Sequence, residues 1–250
     1  MDRRENEQFS LDSNKWSKRT LKSSIGGFSQ PAVNQIRTLQ GLLAVIQLLQ
    51  LKQFIGSQLY HEEFLGEGVS YKVFRCQLAV SRKVVALKQV KLPPPDADID
   101  AFRTRVSCVL KDIEVMNHAP LASHPHIIDL LGYGWNRQGS IPFLVTEWAR
   151  HETMRQLLQG TSLSARQKLK LCRHVALALL ELHLCGIAHG DVKLDNVLIV
   201  RASRGEPDYV TLADDTVVIA KLADFGHSVL LNPGEVVNAD ASQKYRGTVA

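Results

Sequence analysis

His189-Gly-Asp-Val-Lys-Leu-Asp-Asn196 gathers a histidine, two carboxylates, an ammonium and an amide into one short stretch. Upstream, Ser164 to Cys185 predicts a long helix, with Leu169, Cys172, Val175, Ala176, Leu179 and His183 along one face. Downstream, Val197-Leu-Ile-Val200 has the composition of a strand. The polar cluster therefore falls at a turn between helix and strand. Farther on, Lys221-Leu-Ala-Asp-Phe-Gly226 ends another strand-like run in an acid. Asp224 and Asn196 offer hard oxygen ligands of the kind Mg²⁺ takes, alongside waters and phosphates. Either segment alone fits a loop acid of no consequence. The two together, in this order, direct attention to what precedes them.

Two segments on the N-terminal side complete the pattern. Gly66-Glu-Gly-Val-Ser-Tyr71 has two of the three glycines of G-x-G-x-x-G. Glycine there permits close approach of backbone to a bulky anion, and an ordinary hairpin turn explains it equally well in isolation. A dinucleotide fingerprint would open a helix next, but Lys72-Val-Phe-Arg75 alternates like a strand. Val85-Ala-Leu-Lys88 sets a lysine in an apolar strand, either on an exposed edge or turned inward to await an anion. A helix follows from Asp98 to about His118, with Phe102, Val106, Val109, Ile113 and Met116 on one side. Two more strands fit Ile127 to Trp135 and Pro142 to Ala149. A strand-rich first part and a helical second part make an α+β arrangement in two lobes.

In this order the residues resemble the eukaryotic protein kinase family, whose signature is a Gly-rich loop, a strand lysine, H-R-D-L-x-x-x-N and D-F-G. The matches are Gly66, Gly68 and Val73; Ala86 and Lys88; His189, Asp191 and Asn196; then Asp224, Phe225 and Gly226. The resemblance implies a two-lobed kinase-like domain over 60–250, with an N-lobe over 60–149 and a partial C-lobe over 150–250. It implies ATP and Mg²⁺ as cofactors and phosphoryl transfer to a protein substrate. Gly66, Glu67, Gly68 and Val73 would cover the phosphates, Lys88 would contact them, and Asn196 and Asp224 would hold the metal. Asp191 would orient the substrate hydroxyl. Lys193 would steady the γ-phosphate, and its place two residues after Asp191 resembles the serine/threonine branch. Thr146 takes the gatekeeper position, the Glu147 and Ala149 backbones would bond adenine, and Val73, Ala86 and Leu198 would sandwich the ring.

Departures from the pattern carry their own expectations. Tyr71 stands at the third glycine. Gly190 replaces the arginine before the catalytic aspartate, so phosphate on Ser242, Tyr245 or Thr248 is expected to matter less than in an arginine-containing relative. The carboxylate that pairs with Lys88 falls on Asp112, with the longer Glu114 turned about 200° away on the same helix. Arg201 to Thr216 is polar enough for a surface loop. The family continues through an A-P-E segment and further helices, whereas this sequence stops at Gly247-Thr-Val-Ala250. A truncated lobe, weak stability and weak or absent activity are therefore expected of 1–250. The alternative is a nucleotide-binding pseudokinase or scaffold fragment. Small-molecule phosphotransferases of the same fold are disfavoured by the complete D-F-G.

The remainder of the 250 residues sets bounds. With 45% hydrophobic and 22% charged residues, the chain is neither wholly disordered nor collagen-like. A net charge of +5 asks for no nucleic acid. Residues 1–31 are polar and expected to be disordered. Ala32 to Ser57, within a segment 32–59, is expected to be an apolar helix that docks on its own domain, on a partner or on a membrane surface. Its run Leu39 to Leu51 is broken by glutamines and too short to span a membrane. Cys76, Cys108, Cys172 and Cys185 lack paired spacing and suggest reduced thiols in the cytoplasm or nucleus.

Overall fold

The computed structural model describes residues 49–93, 99–135, 142–151, 153–202 and 208–230. The expected disordered segment 1–31, the stretch 32–48, and Ser242, Tyr245 and Thr248 lie outside the described residues.

Strand-forming alternation from Leu59 onward yields one antiparallel meander. Its members are β2 (Leu59–Glu67), β3 (Tyr71–Leu78) and β4 (Val84–Val90). β5 (Leu130–Trp135) and β6 (Pro142–Glu147) join them, and β1 (Gln53–Phe54) adds in parallel to β5. The spatial order is β1-β5-β6-β4-β3-β2. Register decides which side chains share a face: Val73 pairs with Lys88, and Ala86 with Thr146. Because Ala86 and Lys88 are two apart, all four project from one side of the sheet. The other side buries Cys76, Val85, Leu87, Phe143 and Val145 with Phe54 and Leu59.

Between β4 and β5 lies α1 (Ile99–Asn117), whose apolar stripe Phe102, Val106, Val109, Ile113 and Met116 is buried. A short helix α2 (Ala119–Ala122) follows. The second lobe begins with α3 (Met154–Gly160) and α4 (Ala165–Leu184). Ser164 caps α4 by accepting from the Gln167 N–H, and the Gln167 side chain returns to the Ser164 N–H at 2.7 Å. That reciprocal box satisfies donors the helix cannot bond internally. The strands β7 (Ile187–Ala188) and β11 (Val229–Leu230) pair antiparallel, while β8 (Val197–Arg201), β10 (Val217–Leu222) and β9 (Val210–Thr211) form a three-stranded sheet in that order. The main core joins both lobes, from Val106 and Leu144 to Leu171, Ile199, Leu222 and Phe225. Each fully buried aliphatic or aromatic side chain there contributes about 1.5–3 kcal/mol.

Three expectations are corrected. Helix does not extend through 49–57: the described part is a turn, β1 and a 3₁₀ turn over Gly56–Gln58. The cause is non-local. Gly132 and Gly134 on β5 leave space into which this segment settles, since a Cβ at Gly132 would stand 2.1 Å from the Lys52 carbonyl oxygen. Nor is 201–216 wholly a surface loop. It contains β9 and buries Val210 and Leu212, because a third strand covers the open edge of β10. Finally, α4 turns Leu171, His174, Ala178 and Leu182 inward, against β10 and its neighbours. Of the face expected from spacing, Leu169 is 70% exposed, and Cys172, Ala176 and His183 are exposed too.

Candidate active site

A cleft of about 610 Å³ separates the lobes, a size typical of small-ligand sites, which run to about 300–1,000 Å³. From the sheet come Gly66, Gly68, Val73, Ala86 and Lys88; from the connection between lobes come Thr146, Glu147 and Ala149; from below come Asp191, Lys193, Asn196, Leu198 and Asp224. Glu67 is absent from this lining. It sits beside Lys91 at 3.4 Å, because alternation along β2 turns it aside from its glycine neighbours.

Lys88 is turned inward. Its Nζ lies 2.9 Å from Asp112 Oδ2, and Asp112 is wholly buried on α1. The other carboxylate oxygen accepts from the Phe225 N–H at 2.7 Å. One side chain thus ties strand, helix and the Asp224-Phe-Gly226 turn together. Burial disfavours the Lys88 charge, but Asp112 and then Asp224 outweigh it and hold its pKa above the ordinary lysine value. Glu114 takes no part in this pairing; burial raises its own pKa.

Across the cleft, Asp191 accepts from Lys193 Nζ at 2.7 Å and from Asn196 Nδ2 at 3.0 Å. Asn196 Nδ2 also donates to the Asp191 carbonyl at 2.8 Å. With the amide nitrogen so engaged, the Asn196 oxygen is left to accept or to ligate. His189 stands behind this turn. Its Nε2–H donates to the Ala223 carbonyl (3.1 Å), and its Nδ1 accepts from the Asp191 N–H (3.3 Å). Burial lowers its pKa, so the ring is a neutral brace. Gly190 has φ of +80°, and a Cβ there would meet the His227 carbonyl oxygen at 2.3 Å. Asp224 itself adopts φ of +64°, a left-handed conformation that costs a non-glycine residue about 1–2 kcal/mol. That turn sets Asp224 in the cleft lining while Phe225 is buried.

The connection between lobes is anchored by Glu147, whose Oε1 accepts from the Asp129 N–H (2.9 Å) and from Lys221 Nζ (2.5 Å). Burial raises the Glu147 pKa, and Lys221 works against that rise. Sequence reasoning missed Lys221 and Asp129, since their partner lies far along the chain. The apolar slot of Val73, Ala86 and Leu198 suits a planar base. Among the described residues no three His, Cys, Asp or Glu side chains form a metal cage. Asn196 and Asp224 fit a hard cation that keeps waters and phosphate oxygens as its other ligands.

The sequence is similar to those of known proteins. The family model described as protein kinase domain matches residues 59–248. Serine/threonine-protein kinase pkn3 of Myxococcus xanthus is 28% identical over 166 residues, covering 65% of this chain and 28% of that protein. The rat phosphorylase b kinase gamma catalytic chain, liver/testis isoform, is 27% identical over 175 residues, covering 70% of this chain and 38% of its own. Mouse NUAK family SNF1-like kinase 1 is 29% identical over 170 residues, covering 68% and 22%. The match thus spans well under half the length of these relatives. With a family match running from the first long strand through the Asp224 turn and beyond, and a cleft that brings the motif residues face to face, the chain belongs to the protein kinase family.

Proposed function

We propose that the cleft binds Mg²⁺-ATP and that the chain transfers the γ-phosphoryl group to serine or threonine hydroxyls of a protein substrate. The observation that carries this reading is the opposition, across one cleft, of the Lys88–Asp112 pair and the Asp191–Lys193–Asn196 cluster, with Asp224 among the lining residues. Lys88 presents a fixed ammonium to phosphate oxygens. Val73, Ala86 and Leu198 hold the base, and the Glu147 and Ala149 backbones offer it hydrogen bonds. Asn196 and Asp224 would hold Mg²⁺, which when bound neutralises charge on phosphate oxygens. Asp191, its carboxylate oriented by Lys193 and Asn196, orients the substrate hydroxyl and takes its proton. Lys193 also lies at the cleft wall, where it can steady the γ-phosphate.

The name of one relative, serine/threonine-protein kinase pkn3, supports the choice of serine and threonine. The scaffold alternative separates cleanly in one experiment on the 250-residue chain. Asp191→Asn should lower phosphoryl transfer to a mixed serine/threonine peptide pool by about 10²-fold or more while leaving ATP affinity within a few-fold. ATP binding without any Asp191-dependent transfer would favour a binding module.

A further inference from the structure

Tyr71 opens β3 where the kinase pattern has its third glycine, and its side chain is neither on the surface nor idle. It is 6% exposed and sits opposite Val90, one diagonal step from Lys88 on the same face. The Lys88 Nζ lies 4.2 Å from the centre of its ring. Burial first, and then the Asp112 carboxylate, push the phenol's pKa well above its ordinary value, so the ring stays neutral and keeps its negative π-face. The ammonium is held between two attractive groups, that face and Asp112 Oδ2 at 2.9 Å. Asp112 is also fully enclosed, with its second oxygen on Phe225. A carboxylate one methylene longer on an unmoved helix would have to displace one of these neighbours.

We propose that Tyr71 is a positioning residue for Lys88: its ring confines the ammonium against Asp112 and occupies the space that a longer carboxylate would require. Tyrosine at 71 and aspartate at 112 are then one paired solution, in place of glycine and glutamate. A desolvated cation on an aromatic face is held more strongly than an exposed one. The pairing exists without ligand, and only its service to ATP phosphates rests on the function proposed above.

The test is trace acetylation of the 250-residue chain with acetic anhydride, reading Lys88 by peptide mass spectrometry against exposed Lys168. Tyr71→Phe, which keeps the ring, should leave Lys88 labelling at the wild-type rate. Tyr71→Leu, which keeps bulk without the π-face, should raise it roughly 3- to 30-fold. Asp112→Glu should also free Lys88 in the wild-type background, and Tyr71→Gly with Asp112→Glu should restore protection. The proposal is overturned if Tyr71→Leu labels like wild type, or if Asp112→Glu has the same effect with tyrosine or glycine at 71. Should Tyr71→Leu fail to fold, the two Asp112→Glu backgrounds decide. Added Mg²⁺-ATP should slow Lys88 labelling in the wild type; its failure to do so would count against the nucleotide site and leave the ligand-free comparison to judge Tyr71.

Discussion

At the scale of single residues, Asp112 joins the lysine strand, α1 and the Asp224-Phe-Gly226 turn. It neutralises Lys88, which is 16% exposed, and accepts from the Phe225 N–H. Asp112→Ala would strand a half-buried charge and a buried donor together. We expect a loss of about 3 kcal/mol in urea unfolding, accompanied by at least a tenfold loss of ATP affinity. Glu67→Gln, at an exposed ion pair, should stay within about 0.5 kcal/mol of wild type. Asp112 was accessible from sequence because counting back from His124-Pro-His126-Ile127 along the kinase pattern, with Met116 four residues after it, lands there, and helix rotation turns Glu114 away. What Tyr71 does was not, because a tyrosine in a glycine's place says nothing of which way its ring turns. Glu67 was carried along by its glycine neighbours, although alternation alone argued for the opposite side.

At the scale of elements, α1 and most strands followed from periodicity, since local pattern and burial agree there. β1 and β9 did not. Each is two residues long and owes its existence to a neighbour: β1 to the glycines of β5, β9 to the open edge of β10. The inward face of α4 was also misjudged, because the helix carries apolar residues on more than one side and only β10 decides between them. That packing includes a polar seam. His174 on α4 accepts from the Ala220 N–H at 3.2 Å and stacks on His126 at 4.2 Å, while Lys170, Arg173 and Asp208 form ion pairs at its rim. Burial, and then the neighbouring His174, hold the His126 pKa down at about 4; burial also lowers His124 and His174. An unfolded histidine titrates near ~6.5. Between those values the unfolded chain binds the proton and the folded chain does not. Stability is therefore full above pH ~6.5 and is lost as pH falls toward about 4. Thermal melts should show a lower Tm at pH 5 than at pH 7, and His126→Gln should shrink that difference.

At the scale of the whole molecule, the order of motifs along the chain was enough to indicate two lobes with a cleft between them. The strand lysine and the Asp191 turn are far apart in sequence, and the shared core through Leu144, Leu222 and Phe225 places them opposite each other. The tie from Lys221 and Asp129 to Glu147 fixes the connection between lobes, and only the folded chain reveals it. On the function proposed above, this cleft takes ATP through a metal held by Asp224 and Asn196. Calorimetric titration of ATP into the 250-residue chain, with Mg²⁺ and with chelator, tests it most directly on wild type and Asp224→Asn. Mg²⁺ should tighten ATP binding to the wild type by about tenfold or more, and Asp224→Asn should remove most of that gain. A wild type that binds no ATP, or binds it equally well with and without Mg²⁺, would contradict that proposal.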